Sequence, residues 1–479
     1  MTRKQCIYGK DNMKKDGNYK MISAKIKYTL LLTILLLIVS SATASAQIEK
    51  RIAAFGSSVC NATGDETTEG GYIGRLTVLV KKYGFELINV SRGGDNTIKI
   101  QERWEKTDIA PKKKVEDNQY LLPVNPKFVI IGLSLANEGL AKKTDAGKDS
   151  IFEQFRTGII GIIARLRQLG KIPVVANCYP NQAYSLEDYA YLRKMNLIIS
   201  SWDVPSIDLL DCIDDGSGRW LDGFYRDPSH PSSGGHREMF FTFPPTLFSA
   251  LESGKPVPSF LSSNQCASIT YSNEPAFVYK PADTIHSFTN SFLLRNPDKL
   301  TLVKIDGMKG IVASSEYSSK SEKRISLNIN TSADTLITQL KYENGKIIYL
   351  SGKDNKTEVP FNFDKDKWYR VTLTHQSAKG ETKVYIQDFL LLTVAERIIP
   401  GKFKIGIRGS GDYKDILLYR SALNLTEVQF NLTGNLFRSS LEIYSPLNDD
   451  SFSENSEPKN FAQSLSTLYV KGKVIPSIK

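Results

Sequence analysis

The sequence is poor in the residues that metal sites need. It has four histidines and five cysteines in 479 residues. No CxxC pair occurs, and Cys60, Cys178, Cys212 and Cys266 are widely spaced. That spacing supplies no metal ligand set, permits a disulfide without requiring one, and fits buried thiols; no metal and no cofactor are expected. No Lys/Arg run is longer than Lys112–Lys114, which reads as a solvated face. The formal charge is +11, but residues 1–46 carry +6 of it, and the remaining +5 is too weak to argue for nucleic acid. There is no internal repeat. The uncharged apolar run Leu30–Val39 is too short for a membrane span of about 20 residues.

What that run fits is a leader. Lys25 and Lys27 precede it, and small residues ending in Ala44-Ser45-Ala46 follow it. The pattern predicts a secretory signal peptide within residues 1–46, with Met21 as a plausible start, cleavage near Ala46/Gln47 and no stable span afterwards. The expected location is periplasmic or extracellular. No Cys follows the small residues, so a lipid anchor is not expected.

Residues 47–252 alternate short apolar runs with helical patterns. Arg51–Phe55, Phe85–Val90, Phe128–Leu133, Pro173–Ala176 and Ser206–Leu210 read as strands. Ile73–Lys82, Ile151–Leu169, Ser185–Ser200 and Gly235–Leu251 read as helices, Ile151–Leu169 with a broad apolar stripe. This predicts an α/β three-layer, flavodoxin-like domain around a parallel five-stranded sheet, with ligands at the carboxyl ends of the strands. A Pro-rich stretch at 253–265 reads as a linker. From 266 to 445 helical periodicity nearly vanishes, and short β-rich segments such as Leu300–Ile305, Arg324–Ile329 and Thr335–Tyr342 predict an antiparallel sandwich or jelly roll. Residues 446–479 read as a tail.

Four segments of the first domain carry chemistry. Gly56-Ser57-Ser58 follows the first strand, where a tight turn exposes a serine; alone, it is an ordinary turn. Arg92-Gly93-Gly94-Asp95 follows the second strand, and its glycines let a backbone N–H approach a ligand. Gly132-Leu-Ser-Leu-Ala-Asn137-Glu138 follows the third; Asn137 can donate to a developing oxyanion or cap the turn. Asp227-Pro-Ser-His230 precedes the last helix, and Asp three residues before His can orient its imidazole as a base. His286 and His375 lie in the β-rich half, so the candidate bases are His230 and His236, the latter read as a structural residue. Tyr179 and Asn181, after the fourth strand, are read either as substrate contacts or as a turn with a packed tyrosine.

The order of these blocks resembles the SGNH, or GDSL-like, hydrolases over most of residues 51–250. The resemblance implies Ser58 as nucleophile, Asp227 and His230 completing a triad, and an oxyanion hole from the N–H groups of Ser58 and Gly94 and the Asn137 amide, with Gly93 an alternative to Gly94. Three departures stand out: Ser57 replaces the usual Asp, four residues separate Gly132 from Asn137, and Glu138 replaces the Asp after Asn. The second half, through Trp368-Tyr-Arg-Val-Thr-Leu-Thr and Lys383-Val-Tyr-Ile-Gln-Asp, resembles concanavalin-like, laminin-G-like jelly rolls. Together these imply an exported esterase acting on an acylated glycan or other ester, foremost an O-acetyl carbohydrate. The alternatives are a lipid or thioester acylhydrolase and a non-catalytic glycan-binding or adhesion protein. Oligomeric state is not legible.

Overall fold

The computed structural model describes residues 27, 30–33, 50–105, 116–262, 264–318, 323–448 and 456–478. All of the expected leader except residues 27 and 30–33 lies outside them, as does Lys112–Lys114. No helix among the described residues is long and apolar enough to cross a membrane.

Five of the apolar runs pair as parallel strands: β1 (Arg51–Gly56), β2 (Glu86–Asn89), β3 (Phe128–Gly132), β4 (Ile172–Ala176) and β5 (Ser206–Ile207). Their spatial order is β2-β1-β3-β4-β5. Around them lie α1 (Gly71–Lys81), α2 (Leu135–Glu138), α3 (Asp145–Gln168), α4 (Leu186–Ser201), α5 (Ser233–Phe241) and α6 (Leu247–Glu252). Successive strand residues point to opposite faces, so the continuous run in β3 is buried on both. Phe128 and Ile130 pack with Ile73 and Leu76 of α1 and Phe248 of α6. Val129 and Ile131 pack with Phe155 and Ile159 of α3 and Ile199 of α4. Each such buried side chain contributes roughly 1.5–3 kcal/mol before conformational entropy is set against it.

The chain leaves β1 toward β2 on one side and returns to β3 on the other. The loops after β1 and β3 therefore diverge, leaving a crevice at their carboxyl ends. A short hairpin, β6 (Tyr225–Asp227) and β7 (His230–Pro231), stands over it before α5.

The second half is a two-sheet antiparallel sandwich. One sheet runs through Phe389–Ala395, Glu381–Ile386, Tyr369–Gln376, Phe288–Asp298, Ser410–Tyr419, Gln265–Ile269 and Val474–Ile478, with Leu441–Ser445 also paired to Ser410–Tyr419. The other runs through Asn355–Pro360, Lys346–Ser351, Lys323–Glu343, Leu300–Ser318, Ile398–Ile407, Phe277–Tyr279 and Leu468–Val470. A shared core lies between them.

The structure departs from the sequence reading in several places. The expected helix Gly235–Leu251 is two helices, because Pro244-Pro245 cannot continue α5. The fifth strand is two residues long. Arg324–Ile329 and Thr335–Tyr342 are parts of one 21-residue strand, Lys323–Glu343, paired with the 19-residue Leu300–Ser318. No Gly or Pro interrupts Lys323–Glu343, and its first half is supported by the α/β domain. The expected tail supplies Leu468–Val470 and Val474–Ile478, which complete a strand row in each sheet. Leu425–Leu432, called α7 below, is a helix that the sequence reading did not include.

The two halves meet along a broad, hydrogen-bonded interface. Ser206 Oγ bonds Ser439 Oγ at 2.7 Å, and the Asp208 N–H donates to Ser440 Oγ at 2.9 Å. His286 Nδ1 lies 2.9 Å from Glu238, and the His286 ring stacks on Phe241. The long hairpin made by Leu300–Ser318 and Lys323–Glu343 reaches beyond the sandwich as an arm. On it, the Leu327 N–H donates to the Gly223 carbonyl at 2.8 Å.

Candidate active site

Ser58 sits where β1 ends. The Ser57 N–H donates to the Gly132 carbonyl at 3.1 Å, which fixes the turn, and the Ser58 carbonyl accepts from the Thr63 N–H at 2.9 Å. Ser58 itself is half-buried. His230 Nε2 lies 3.0 Å from Ser58 Oγ, and His230 Nδ1 lies 2.9 Å from both Asp227 carboxylate oxygens. The structure thus brings together the three residues the sequence singled out. A carboxylate on Nδ1 favours the tautomer whose Nε2 is free to accept the serine proton.

Asn137 lies in α2, directly after β3, and the fold orients its amide. The Asn137 Oδ1 accepts from the Ser134 N–H at 2.8 Å and from the Tyr179 hydroxyl at 3.1 Å. With Oδ1 so engaged, Nδ2 points the other way, donating to Ser57 Oγ at 3.1 Å. Its second hydrogen has no partner among the described residues. Ser57, where the resembled family has Asp, is therefore a buried acceptor for the Asn137 amide. The backbone N–H groups of Ser58, Gly93 and Gly94 likewise have no acceptor among the described residues. Gly94 has φ +84°, a conformation that favours glycine, and a Cβ on Gly93 would lie 3.7 Å from the Ser58 Cβ. Donors without acceptors, gathered beside a serine hydroxyl, can take up negative charge on a carbonyl oxygen.

Tyr179 and Asn181 are not placed as substrate contacts. Tyr179 is buried and stacked on Trp220 with ring centroids 5.9 Å apart, and its hydroxyl is committed to Asn137. Burial raises that phenol's pKa well above the ordinary value, so it stays a donor. Asn181 is buried, and its Oδ1 accepts from the Ala183 N–H at 3.0 Å in a local turn. The packed-turn alternative is the one the fold adopts, because the loop after β4 turns inward beneath α2.

Several supporting contacts lay outside the sequence reading. Asp95 accepts from Arg92 at 2.8 Å and from the buried Arg103 at 2.6 Å, pinning the second block under the crevice. Arg103 also donates to the carbonyls of Val90 and Gln119. Glu138 accepts from the Thr97 N–H at 2.7 Å and from Gln154 at 2.5 Å, so it ties the third block to the second. His236 is structural, as expected: Nδ1 accepts from the Tyr72 N–H at 3.4 Å and Nε2 donates to the Thr63 carbonyl at 3.1 Å. Burial pushes its pKa down to about 4. It thereby holds the Thr63-Gly64 turn, whose glycine packs against His230 and Pro231 and has no room for a Cβ. The four described cysteines are buried thiols.

The rim beside Asp227 comes from the sandwich. On the arm, the Tyr317 hydroxyl donates to the Arg226 carbonyl at 3.2 Å. Arg226 lies over the Tyr317 ring, and Arg324 over the Tyr225 ring, at 5.8 and 5.5 Å from the centroids. Gly223 and Gly234, on either side of the β6–β7 hairpin, both pack against Leu327 too closely for a Cβ.

A model of the GDSL-like lipase/acylhydrolase family matches residues 54–238. No curated protein matches the chain. Among solved structures, a GDSL-like lipase from Bacteroides thetaiotaomicron VPI-5482 is 13% identical, covering 43% of this chain and 88% of its own, with TM-score 0.29. The psychrotrophic esterase EstA from a Pseudoalteromonas species is 16% identical, covering 40% and 93%, with TM-score 0.29. A heptameric SAP-like pentraxin from Limulus polyphemus is 13% identical, covering 46% and 98%, with TM-score 0.28.

Proposed function

We propose that the protein, whose residues 54–238 match the GDSL-like lipase/acylhydrolase family, is an exported esterase removing an O-acyl group, foremost acetyl, from a carbohydrate. Ser58 is the nucleophile, His230 the general base and acid, and Asp227 the group that orients it. As Ser58 Oγ attacks the acyl carbon, its proton passes to His230 Nε2. The oxyanion accepts from the N–H groups of Ser58 and Gly94 and from Asn137 Nδ2. Collapse expels the alcohol, protonated by His230, and leaves an acyl ester on Ser58. Water, deprotonated by His230, then cleaves that ester, releasing the carboxylate and restoring the serine.

The observation that carries the substrate reading is the rim. Tyr317, Arg324, Tyr225 and Arg226 form a wall of aromatic rings and guanidinium groups beside Asp227, contributed jointly by both domains. Rings and donors of this kind suit a sugar, whose faces are apolar and whose edges are hydroxyls, better than an aliphatic chain. The jelly-roll resemblance and the leader pattern point the same way. The test is acetate release by the mature protein from p-nitrophenyl acetate and a panel of acetylated glycans, beside the same assay with long-chain acyl esters. Preference for an acetylated glycan is the expected result. Preference for long acyl chains would transfer the reading to a lipid substrate, and glycan binding without turnover would support an adhesion role.

A further inference from the structure

The interface between the domains gathers acids that the ester chemistry does not use. Asp208 and Asp211 lie just beyond β5, and Glu427 lies in the first turn of α7. One oxygen from each carboxylate lies within 4.8 Å of the others, and all three side chains are at least 97% buried. Their donors are neutral. Asp208 accepts from the Leu210 N–H and the Ser421 hydroxyl, Asp211 Oδ1 from Asn424 Nδ2 at 3.1 Å, and Glu427 from the Asn424 N–H at 3.1 Å. Asp211 Oδ2 is buried with no N–H or hydroxyl donor among the described residues, and the Asp211 carboxyl abuts those of Glu427 and Asp208. Among the described residues, no Lys, Arg or His forms an ion pair with any of the three, whereas the interface acids Glu238 and Glu442 are paired with His286 and Arg420.

Three carboxylates held out of water against neutral donors alone are unstable as anions; buried charges are either paired or bound to a metal. We propose that Asp208, Asp211 and Glu427 form a binding site for one divalent cation of the calcium class, joining the two domains. The spacing suits it. Ca²⁺–oxygen bonds are about 2.3–2.6 Å, so oxygens within twice that length can share one ion. All the donors are oxygen, which selects a hard cation over zinc or copper. The first N–H groups of α7 do not compete for the carboxylates, because Asn424 Oδ1 already accepts from Thr426 and Glu427. Asp211 and Asn424 also line an interface cavity of about 220 Å³, together with the acids Asp214 and Glu381 and the cations Arg193, Lys379 and Lys383. The proposal is independent of the ester that the active site cleaves.

The competing arrangement is a set of shared protons. Burial and mutual repulsion raise the pKa of Asp211, and Glu427 is held up to about 8, so protonated carboxyls can pair in the absence of a cation. The two arrangements differ in a direct measurement on the full mature chain. After chelator treatment and dialysis against buffered Ca²⁺, metal content is read by mass spectrometry and Tm by calorimetry, with Mg²⁺ and K⁺ as comparators. One retained Ca²⁺ per chain, and a Tm that chelator lowers and Ca²⁺ restores, are expected. D211N should weaken Ca²⁺ binding at least tenfold, whereas E381Q, which alters another acid of the same cavity, should leave it unchanged. Tb³⁺ emission excited through nearby tyrosines provides a second readout of the same site. No retained metal, together with a Tm indifferent to chelator and Ca²⁺, overturns the proposal in favour of shared protons. That outcome is legible on the parent protein even if D211N fails to fold.

Discussion

The two sides of the candidate site are built differently. The serine side, formed by the loops after β1, β2 and β3, is braced from within the α/β domain: Asp95 by Arg103, Thr97 by Glu138, and Asn137 by Tyr179. The histidine side, the β6–β7 hairpin, is braced from both domains: Gln182 and Trp220 donate to the Pro228 carbonyl and the Gly64 turn packs on His230, while Leu327, Tyr317 and the contact of Ser233 with Ser326 support it from the sandwich. The nucleophile and its oxyanion donors thus belong to one rigid scaffold, while the placement of the base is shared with the sandwich arm. Here the second domain supports a side of the site.

The sharpest way to break that comparison is at its common point. Ser58→Ala should lower ester hydrolysis by on the order of 10⁴-fold or more with the fold intact by circular dichroism. Retained turnover would remove Ser58 from the mechanism. On the serine side, Asn137→Ala should cost roughly 10²–10³-fold in kcat with little change in KM; a pure KM effect would make Asn137 a binding residue. On the histidine side, Leu327→Ala, though distant in sequence, should lower kcat about tenfold and stability by about 1–2 kcal/mol, with Leu327→Met restoring both. If Leu327→Ala changes stability alone, the arm does not position His230. Tyr179→Phe removes a single hydrogen bond to Asn137 and should cost about 1 kcal/mol in activation free energy, a several-fold fall in kcat. An unchanged kcat would show that Ser134 suffices to hold the amide.

A smaller effect separates the two sides by pH. His236 faces Asp65, Arg75 and His230, and burial holds its pKa near 4, below the ordinary 6.5. Between these values the unfolded chain binds a proton that the native state does not. Stability therefore falls as pH drops from about 6.5 to about 4, and the loss is complete below that window. Replacement by Gln should flatten part of the Tm-against-pH slope there; an unaltered slope would mean the native state accommodates the charge.

Much of this was legible locally. The apolar run before Asn137 is continuous, so burial on both faces followed, and strands alternating with helices gave the parallel sheet; the run before Gly94 is broken by Glu86 and Asn89, which are exposed on an edge strand. The Asp227-Pro-Ser-His230 spacing placed carboxylate and imidazole within reach of each other before any fold was known. The α7 start was also available, since Asn424 and Glu427 form a capping box three residues apart. Tyr179 was ambiguous because a loop residue's sequence does not say whether its ring turns toward solvent or core. The tail strands were missed because the residues just before Leu468–Val470 read as polar and loop-like.

What the sequence determined by itself is whatever rests on periodicity and near-neighbour spacing: the layered α/β domain, the β-rich second half, and the order of Ser58, Gly94, Asn137, Asp227 and His230. Only tertiary structure decided that Leu327 supports the Gly223 loop, that Tyr179 orients Asn137, and that Asp208 and Asp211 meet Glu427. Those contacts join residues about 40 to more than 200 positions apart. Their free energy comes from burial and pairing in three dimensions, which imposes no repeat or spacing on the chain.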